Sequence, residues 1–369
     1  MKKSKLLIVG AFPCNDKNIY GGILKSCNII LESEISKVFE LFTLNSCQIS
    51  NPPPNFFTRS VLAINRIISL FLKLISKKPE VALIFSSDGA SAIEKGVMIL
   101  ICKSFKCKTI IFPRAGELIH QVENSKLMHK LIGFLYLKSS IFLCQGKKWE
   151  EFAINVLGIS KNKVKILNNW TATDDLIKIG KARNYDKKII YPKLLFVGWI
   201  EKTKGVFDLM EISNNLYNKG IRFDLTLVGG GNAEKSLKSY VNKNNLNNVK
   251  FLGWLNSSQL TKVFKNHDIF VFPSWFEGMP NVLIEAMASG LAVISSSAGV
   301  ISDNLSDGKH ALLSKPRDNK VFQQNLEKII LNQKSLNKIA INGHELAKSK
   351  FSSKKGMEEL KFIINDLIH

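Results

Sequence analysis

No Cys-x-x-C pair, no histidine cluster at zinc spacing and no Asp-x-Asp pair occurs in this 369-residue chain. The first two absences remove the ordinary structural zinc sites. The third leaves no spaced carboxylate pair for a divalent cation, since Asp174 and Asp175 are adjacent and sit in a polar stretch. Lys or Arg interrupts every apolar run before it reaches the roughly 20 residues that a spanning helix needs. The opening MKKSKLLIVGAFP has the basic head of a leader peptide, but its apolar run is too short for one and reads as a first strand. Gly229–Gly231 lacks the G-x-G-x-x-G spacing, which disfavours a dehydrogenase. No short-period repeat or low-complexity tract is present.

Apolar residues make up 45% of the chain and charged residues 22%, a globular balance, and the length suits two domains with a cleft between them. All six cysteines lie in the first half and read as reduced cytosolic thiols. The net charge is +22. Residues 1–180 hold 25 basic and 13 acidic residues (+12), and residues 181–369 hold 27 and 17 (+10), so no single cationic tail accounts for it. Such a spread suits membrane surfaces, nucleic acid or phosphorylated ligands, and it equally suits plain solubility. Nucleic acid is the weakest of these, because no zinc-finger spacing, RNA-recognition signature or concentrated basic helix supports it.

Short β-branched runs alternate with longer amphipathic stretches, the pattern of βα units around parallel sheets. The first half offers strands at Lys5–Val9, Val38–Thr43, Val81–Phe85, Thr109–Phe112, Ser140–Leu143 and Val164–Leu167. The second offers Leu194–Val197, Phe223–Val228, Val249–Phe251, Ile269–Phe272, Ala292–Ser295 and Ala311–Leu313. Two doubly wound Rossmann-like domains are expected, at 1–170 and 190–350, joined by a polar linker at Asn168–Lys193. A helix at 351–369 follows, whose docking the pattern does not fix. Phe56–Lys78 is a helix in which Arg59, Arg66 and Lys73 recur every seven residues beside a broad apolar face. It suits either a membrane interface or packing on a sheet.

Asp268–Ser296 carries the most chemistry. A strand ending near Phe272 leads into a loop bearing Glu277 and Gly278, and a helix opens near Pro280, a residue favoured at a first helical position. Free amides and the helix dipole there suit a phosphate or a developing anion. Glu285 interrupts an apolar run, so it needs a hydrogen-bonding partner, either a sugar or ribose hydroxyl or a structural amide or lysine.

Glu277 and Glu285 form an E-x7-E arrangement inside F-E-G-M-P-N-V-L-I-E-A-M-A-S-G. The spacing alone is common by chance, but the whole stretch resembles the retaining GT-B glycosyltransferases of family 4, the glycosyl transferases group 1. Phe196–Gly205, Leu225–Gly231, Val249–Leu255 and Ser297–Asp303 follow that family's order. The likeness covers nearly the whole second half. In the first half it rests mainly on Gly21–Gly22.

The resemblance implies that Glu277 contacts hydroxyls of the donor sugar, Glu285 the ribose, and Lys204 the diphosphate. Gly278, Met279, Pro280 and Asn281 offer amides near the sugar and phosphates. Gly229 and Gly230, open also to a plain tight-turn reading, and Trp254 lie near the nucleotide, while Gly21 and Gly22 face the diphosphate from the other domain. The family commonly has Arg where this chain has Trp199, so Lys202 is the candidate for the missing cation. Arg114, Glu117 and His120 are open to an acceptor-side role or to surface packing. The resemblance further implies front-face attack with retention, Glu277 orienting the sugar rather than forming a covalent intermediate.

Neither a cofactor nor a metal is expected. The expected partners are a nucleotide-diphosphate sugar, a glycan or polyprenyl-linked acceptor and an anionic membrane surface, with a cytoplasmic or peripheral inner-face location. O-antigen, lipopolysaccharide or capsule assembly is the leading pathway class. The alternatives are a GT-B sugar-nucleotide enzyme of another activity, such as an epimerase, and a basic nucleic-acid-binding protein.

Overall fold

Runs that are apolar on both faces are what a parallel sheet covered by helices on either side requires. Twelve strands, most of them of this kind, occur among residues 3–12, 21–47 and 54–368, which the structure, a computed structural model, describes. They divide between two compact units, one of Met1–Trp170 with Lys354–His369, the other of Thr171–Ser353.

In the first unit β1 (Lys5–Gly10), β2 (Glu40–Asn45), β3 (Val81–Ser86), β4 (Lys108–Pro113), β5 (Ile141–Cys144) and β6 (Val164–Ile166) form an all-parallel sheet. Its order is β2-β1-β3-β4-β5-β6. Each strand lies within two residues of its expected bounds. The helices are α1 (Gly22–Glu32), α2 (Ile35–Val38), α3 (Phe56–Lys77), α4 (Gly89–Ser104), α5 (Glu117–Asn124), α6 (Lys126–Tyr136) and α7 (Lys147–Glu151).

Asn55 starts α3 by accepting from the Thr58 amide, and Lys78 ends it in the left-handed region at φ 49°. Only Leu70 and Leu74 of α3 are buried. Phe57, Val61, Ile64, Ile68, Leu72 and Ile75, spaced three or four apart, form an exposed stripe along its flank. Arg66 holds Glu94 of α4 in a fork, at 2.6 and 2.9 Å, and the buried Lys95 adds a third bond at 3.1 Å. The helix thus packs on the unit with one part of its apolar surface and leaves another part bare.

The second unit repeats the plan with β7 (Lys193–Val197), β8 (Asp224–Val228), β9 (Val249–Phe251), β10 (Ile269–Phe272), β11 (Ala292–Ser296) and β12 (Leu312–Ser314). They are all parallel, in the order β12-β11-β10-β7-β8-β9. Its helices are α8 (Asp174–Lys181), α9 (Val206–Asn218), α10 (Glu234–Lys243), α11 (Ser257–Lys265), α12 (Asn281–Ala288), α13 (Ile301–Asn304), α14 (Asn319–Leu331) and α15 (Gln333–Lys350).

α16 (Ser353–Ile368) crosses back, and its Met357, Leu360 and Ile364 join the apolar cluster of the first unit beside Trp170. The stretch expected to be a linker is instead largely structural. α8 packs on α12 and α15, and the Arg183 guanidinium donates to the carbonyls of Ser289 and Phe264, both at 2.6 Å. Its polar composition comes from the solvent side of a short helix whose first turn carries Asp174 and Asp175.

Among the described residues no helix is long and apolar enough to cross a membrane, no group of three or more ligating side chains could hold a metal, and Cys27, Cys47, Cys102, Cys107 and Cys144 are outside any disulfide. Cys14 lies outside the described residues.

Candidate active site

β7 and β10 are neighbours, yet the chain leaves them in opposite directions, with β8 beyond one and β11 beyond the other. Loops diverge at such a switch point, and the carboxyl ends of the two strands there frame a binding crevice. The loop after β7 ends in a 3₁₀ turn, Lys202–Lys204, and Gly205 at φ 69° leads into α9. A side chain at Gly205 would put its Cβ 2.1 Å from the Pro273 carbonyl oxygen, so only glycine lets the two loops sit this close. The loop after β10 then meets the turn through the Trp275 amide, which donates to the Thr203 carbonyl at 2.8 Å.

That seating brings the sequence's two leading candidates together. The Lys204 ammonium donates to Glu277 Oε1 at 2.6 Å, and Ser274 Oγ donates to the same oxygen at 2.7 Å. The side chains of Lys204 and Glu277 are 23% and 12% exposed, so the pair is largely shielded yet reachable. Gly299, at φ 60°, backs onto the Glu277 peptide, where a Cβ would fall 1.8 Å from its carbonyl oxygen.

Gly278, Met279 and Pro280 lead into α12. Pro280 is its N-cap rather than its first residue, and Asn281 starts the helix. The difference is one position: the Pro280 ψ of 122° is extended, as a cap requires. The first-turn amides of α12 begin at Asn281, four residues beyond Glu277 in the chain. Glu285 follows one turn further on and is 5% exposed.

Backbone bonds extend the sheet into the loops after β7, β8 and β9. Gly198 donates to Val228, Ile200 to Gly230 and Gly229 to Gly253, at 2.8–3.0 Å. Close loop packing by itself therefore explains why Gly229 and Gly230 are glycines. A Cβ at Gly230 would sit 2.8 Å from the Trp254 ring nitrogen. Trp199 packs edge-on against Trp254 with ring centroids 4.6 Å apart. Where the family commonly carries arginine, this chain has an aromatic contact between the loops after β7 and β9. Lys202 stands exposed at the start of the turn that ends in Lys204.

The remaining candidates belong to the first unit. Gly21 caps α1 with extended backbone and open space where a side chain would point, so its own conformation does not demand glycine. Gly22 is the first residue of α1. Arg114 follows β4; its guanidinium lies over Phe112 and Trp170, at 4.7 and 5.7 Å from their ring centroids, and donates to Ser26 Oγ at 3.3 Å. Burial pushes its pKa down to about 10. Glu117 and His120 face each other one turn apart on α5, Nδ1 to Oε1 3.5 Å, with His120 60% exposed. Ser274, Trp275 and Asp208 were missed by sequence reasoning. Of these only Ser274, three residues before Glu277, carried a usable signal.

Two doubly wound parallel sheets, with a lysine–glutamate pair at the second one's switch point, define a GT-B framework. Sucrose-phosphate synthase from Thermosynechococcus elongatus has this fold, superposing with a TM-score of 0.79 over 99% of both chains at 15% identity. Residues 181–346 match the glycosyl transferases group 1. An uncharacterised glycosyltransferase of Methanocaldococcus jannaschii is 27% identical over 339 residues, 80% of this chain and 82% of that one. The capsular polysaccharide biosynthesis glycosyltransferase CapM of Staphylococcus aureus is 27% identical over 217 residues, 56% and 57% of the two chains. The chain is thus similar to the glycosyltransferases of group 1, with the family match lying in its second unit.

Proposed function

We propose that this enzyme moves a hexose or N-acetylhexosamine from a nucleotide-diphosphate sugar to a glycan or polyprenyl-linked acceptor, with retention, in the assembly of a surface polysaccharide such as capsule or O-antigen. The observation that carries the donor reading is the shielded Lys204–Glu277 pair at the switch point, beside the amides that open α12. The capsular relative supports the pathway class.

In this reading the departing diphosphate gathers negative charge as the anomeric carbon turns positive. Lys204 and the α12 amides, fixed before the reaction, face that charge; removing one such donor elsewhere costs on the order of 3 kcal/mol. Glu277, steadied by Ser274, orients the sugar hydroxyls. The acceptor hydroxyl arrives on the side of the leaving phosphate and gives it its proton, so no protein nucleophile is required. Glu285 takes the ribose. A lysine and amides on the diphosphate make a divalent cation dispensable, so chelation with EDTA is expected to leave the rate unchanged.

Thermal shift against a panel of UDP- and GDP-sugars identifies the donor, and NMR of the product reports the anomer. Inversion at the anomeric carbon removes the retaining mechanism. Sugar conversion without any acceptor favours an epimerase-like enzyme.

A peripheral inner-membrane location is supported by the bare apolar stripe of α3, whose helix holds four cations and no carboxylate. Sedimentation with vesicles tests it. Stronger recovery on phosphatidylglycerol than on phosphatidylcholine vesicles, reduced in Ile68→Ser/Leu72→Ser, is expected. Equal recovery on both lipids removes the reading.

A further inference from the structure

The ion pair between Lys204 and Glu277 is not sufficient to hold their two segments in register during turnover, because in the reading above Lys204 turns its charge to a diphosphate. A second connection runs behind it. The indole N–H of Trp275, two residues before Glu277, donates to Asp208 Oδ2 at 2.7 Å. Asp208 lies in the first turn of α9, four residues after Lys204, so one short piece of chain carries both. Its other oxygen, Oδ1, accepts from the Asn319 amide at 3.2 Å, at the start of α14. The Arg317 guanidinium lies over the Trp275 ring, 4.5 Å from its centroid, from a backbone at φ 66° that non-glycine residues rarely adopt.

We propose that Asp208 and Trp275 form a positioning clamp that sets the Glu277 carboxylate relative to Lys204 while sugar is transferred. Trp275 is held at three points: its amide by Thr203, its indole nitrogen by Asp208 and its ring face by Arg317. Asp208, held in turn by Asn319, cannot swing away with it. A short, half-buried hydrogen bond to a carboxylate fixes direction as well as distance. The loop therefore keeps its place when the charges in front of it change partners.

The proposal rests on the glycosyl-transfer reading, and two measurements separate its failure from the failure of that reading. The first is kinetic. Trp275→Phe keeps a ring but no donor, and Asp208→Ala removes the acceptor; both are expected to lower kcat about tenfold or more with the donor KM little changed, since an ångström of misplacement costs rate rather than binding. Asp208→Asn keeps an amide oxygen for the indole and is expected to recover most of that loss. Equal loss in Asp208→Asn and Asp208→Ala assigns the effect to charge and overturns the clamp, as does a wild-type kcat in Trp275→Phe.

The second measurement needs no turnover. In protein labelled with nitrogen-15 at its five tryptophans, the Trp275 indole N–H is identified by its absence in Trp275→Phe. Slow hydrogen exchange at that group in the wild type and in Asp208→Asn, lost in Asp208→Ala, supports the clamp. The same exchange rate in all three sinks it, whether or not the enzyme transfers sugar.

Discussion

Replacing Gly299 with alanine separates site geometry from stability. Gly299 sits at φ 60°, so any side chain there pays the left-handed strain of about 1–2 kcal/mol. The second unit has 183 residues, Thr171–Ser353, and a domain of that size loses roughly 2–4 °C in Tm per kcal/mol. The strain alone therefore lowers Tm by about 2–8 °C. The clash adds something different. The new Cβ would lie 1.8 Å from the Glu277 carbonyl oxygen, 2.7 Å from its carbon and 2.9 Å from the Gly278 oxygen, whereas real contacts stay beyond 3.0 Å. The two strands of chain must part by about 1.2 Å, and the Glu277 peptide is what stands in the way. A displacement near 1 Å at a reacting centre costs about 100-fold in rate, some 2.7 kcal/mol of barrier.

Gly308 is the matched control: φ 71°, with nothing within 4 Å of a built Cβ. Gly308→Ala is expected to show the Tm loss without the rate loss. The assay is steady-state turnover of the donor identified by thermal shift, with Tm measured on the same samples. A folded Gly299→Ala enzyme within threefold of wild-type kcat/KM would refute the claim that this contact sets Glu277.

Three further outcomes follow from other parts of the molecule. Lys204→Ala is expected to lower kcat/KM about 100-fold or more, while Lys202→Ala raises the donor KM up to about fivefold with kcat kept; an unchanged KM in the second removes Lys202 from diphosphate binding. Glu94→Gln leaves Arg66 and the buried Lys95 without their shared anion, a loss of about 3 kcal/mol. In the first unit that lowers Tm by roughly 6–12 °C, and a calorimetric shift under 2 °C would refute it. His267, against Val263 and Thr226, has its pKa lowered by burial. The unfolded chain then binds more protons below about pH 6.5, so stability is complete above that pH and is lost as the pH falls through it toward the folded value. His267→Gln is expected to flatten the slope of Tm between about pH 7 and pH 5 without abolishing it, because burial also lowers the pKa of His310.

The strands were legible because a parallel strand covered on both sides reads as an uninterrupted apolar run. Val81–Ser86 is buried at all six positions and has no polar residue before Ser86. The stretch at Asn168–Lys193 was misread for the converse reason. A short helix anchored by backbone-directed bonds from Arg183 needs few apolar residues, so composition took it for a loop. The docking of α16 was invisible because an amphipathic pattern states that one face will be covered and not by what. Met357, Leu360 and Ile364 find their partners in a cluster whose other members lie between Leu6 and Trp170, far away in sequence.

The site shows where pattern stops and geometry begins. Glu277 and Glu285 are legible together because both sit in one loop–helix segment, and Lys204 because a lysine–glycine pair ends the segment after a strand. That Lys204 and Glu277 touch depends on strand order, with β10 lying beside β7 rather than beyond β9, and neither period nor composition encodes that choice. Glycine records it indirectly. At Gly205 and Gly299 a Cβ would strike the Pro273 and Glu277 carbonyl oxygens, each on a segment more than 20 residues away. Asp208 and Trp275 leave no such trace: an aspartate in a first helical turn is ordinary, and a tryptophan beside Phe276 looks like core. Their meaning lies in one 2.7 Å bond that joins the lysine-bearing turn to the glutamate-bearing loop. The placement of the Lys204–Glu277 pair can therefore depend on residues whose types, taken alone, suggest nothing beyond a helix start and a buried ring.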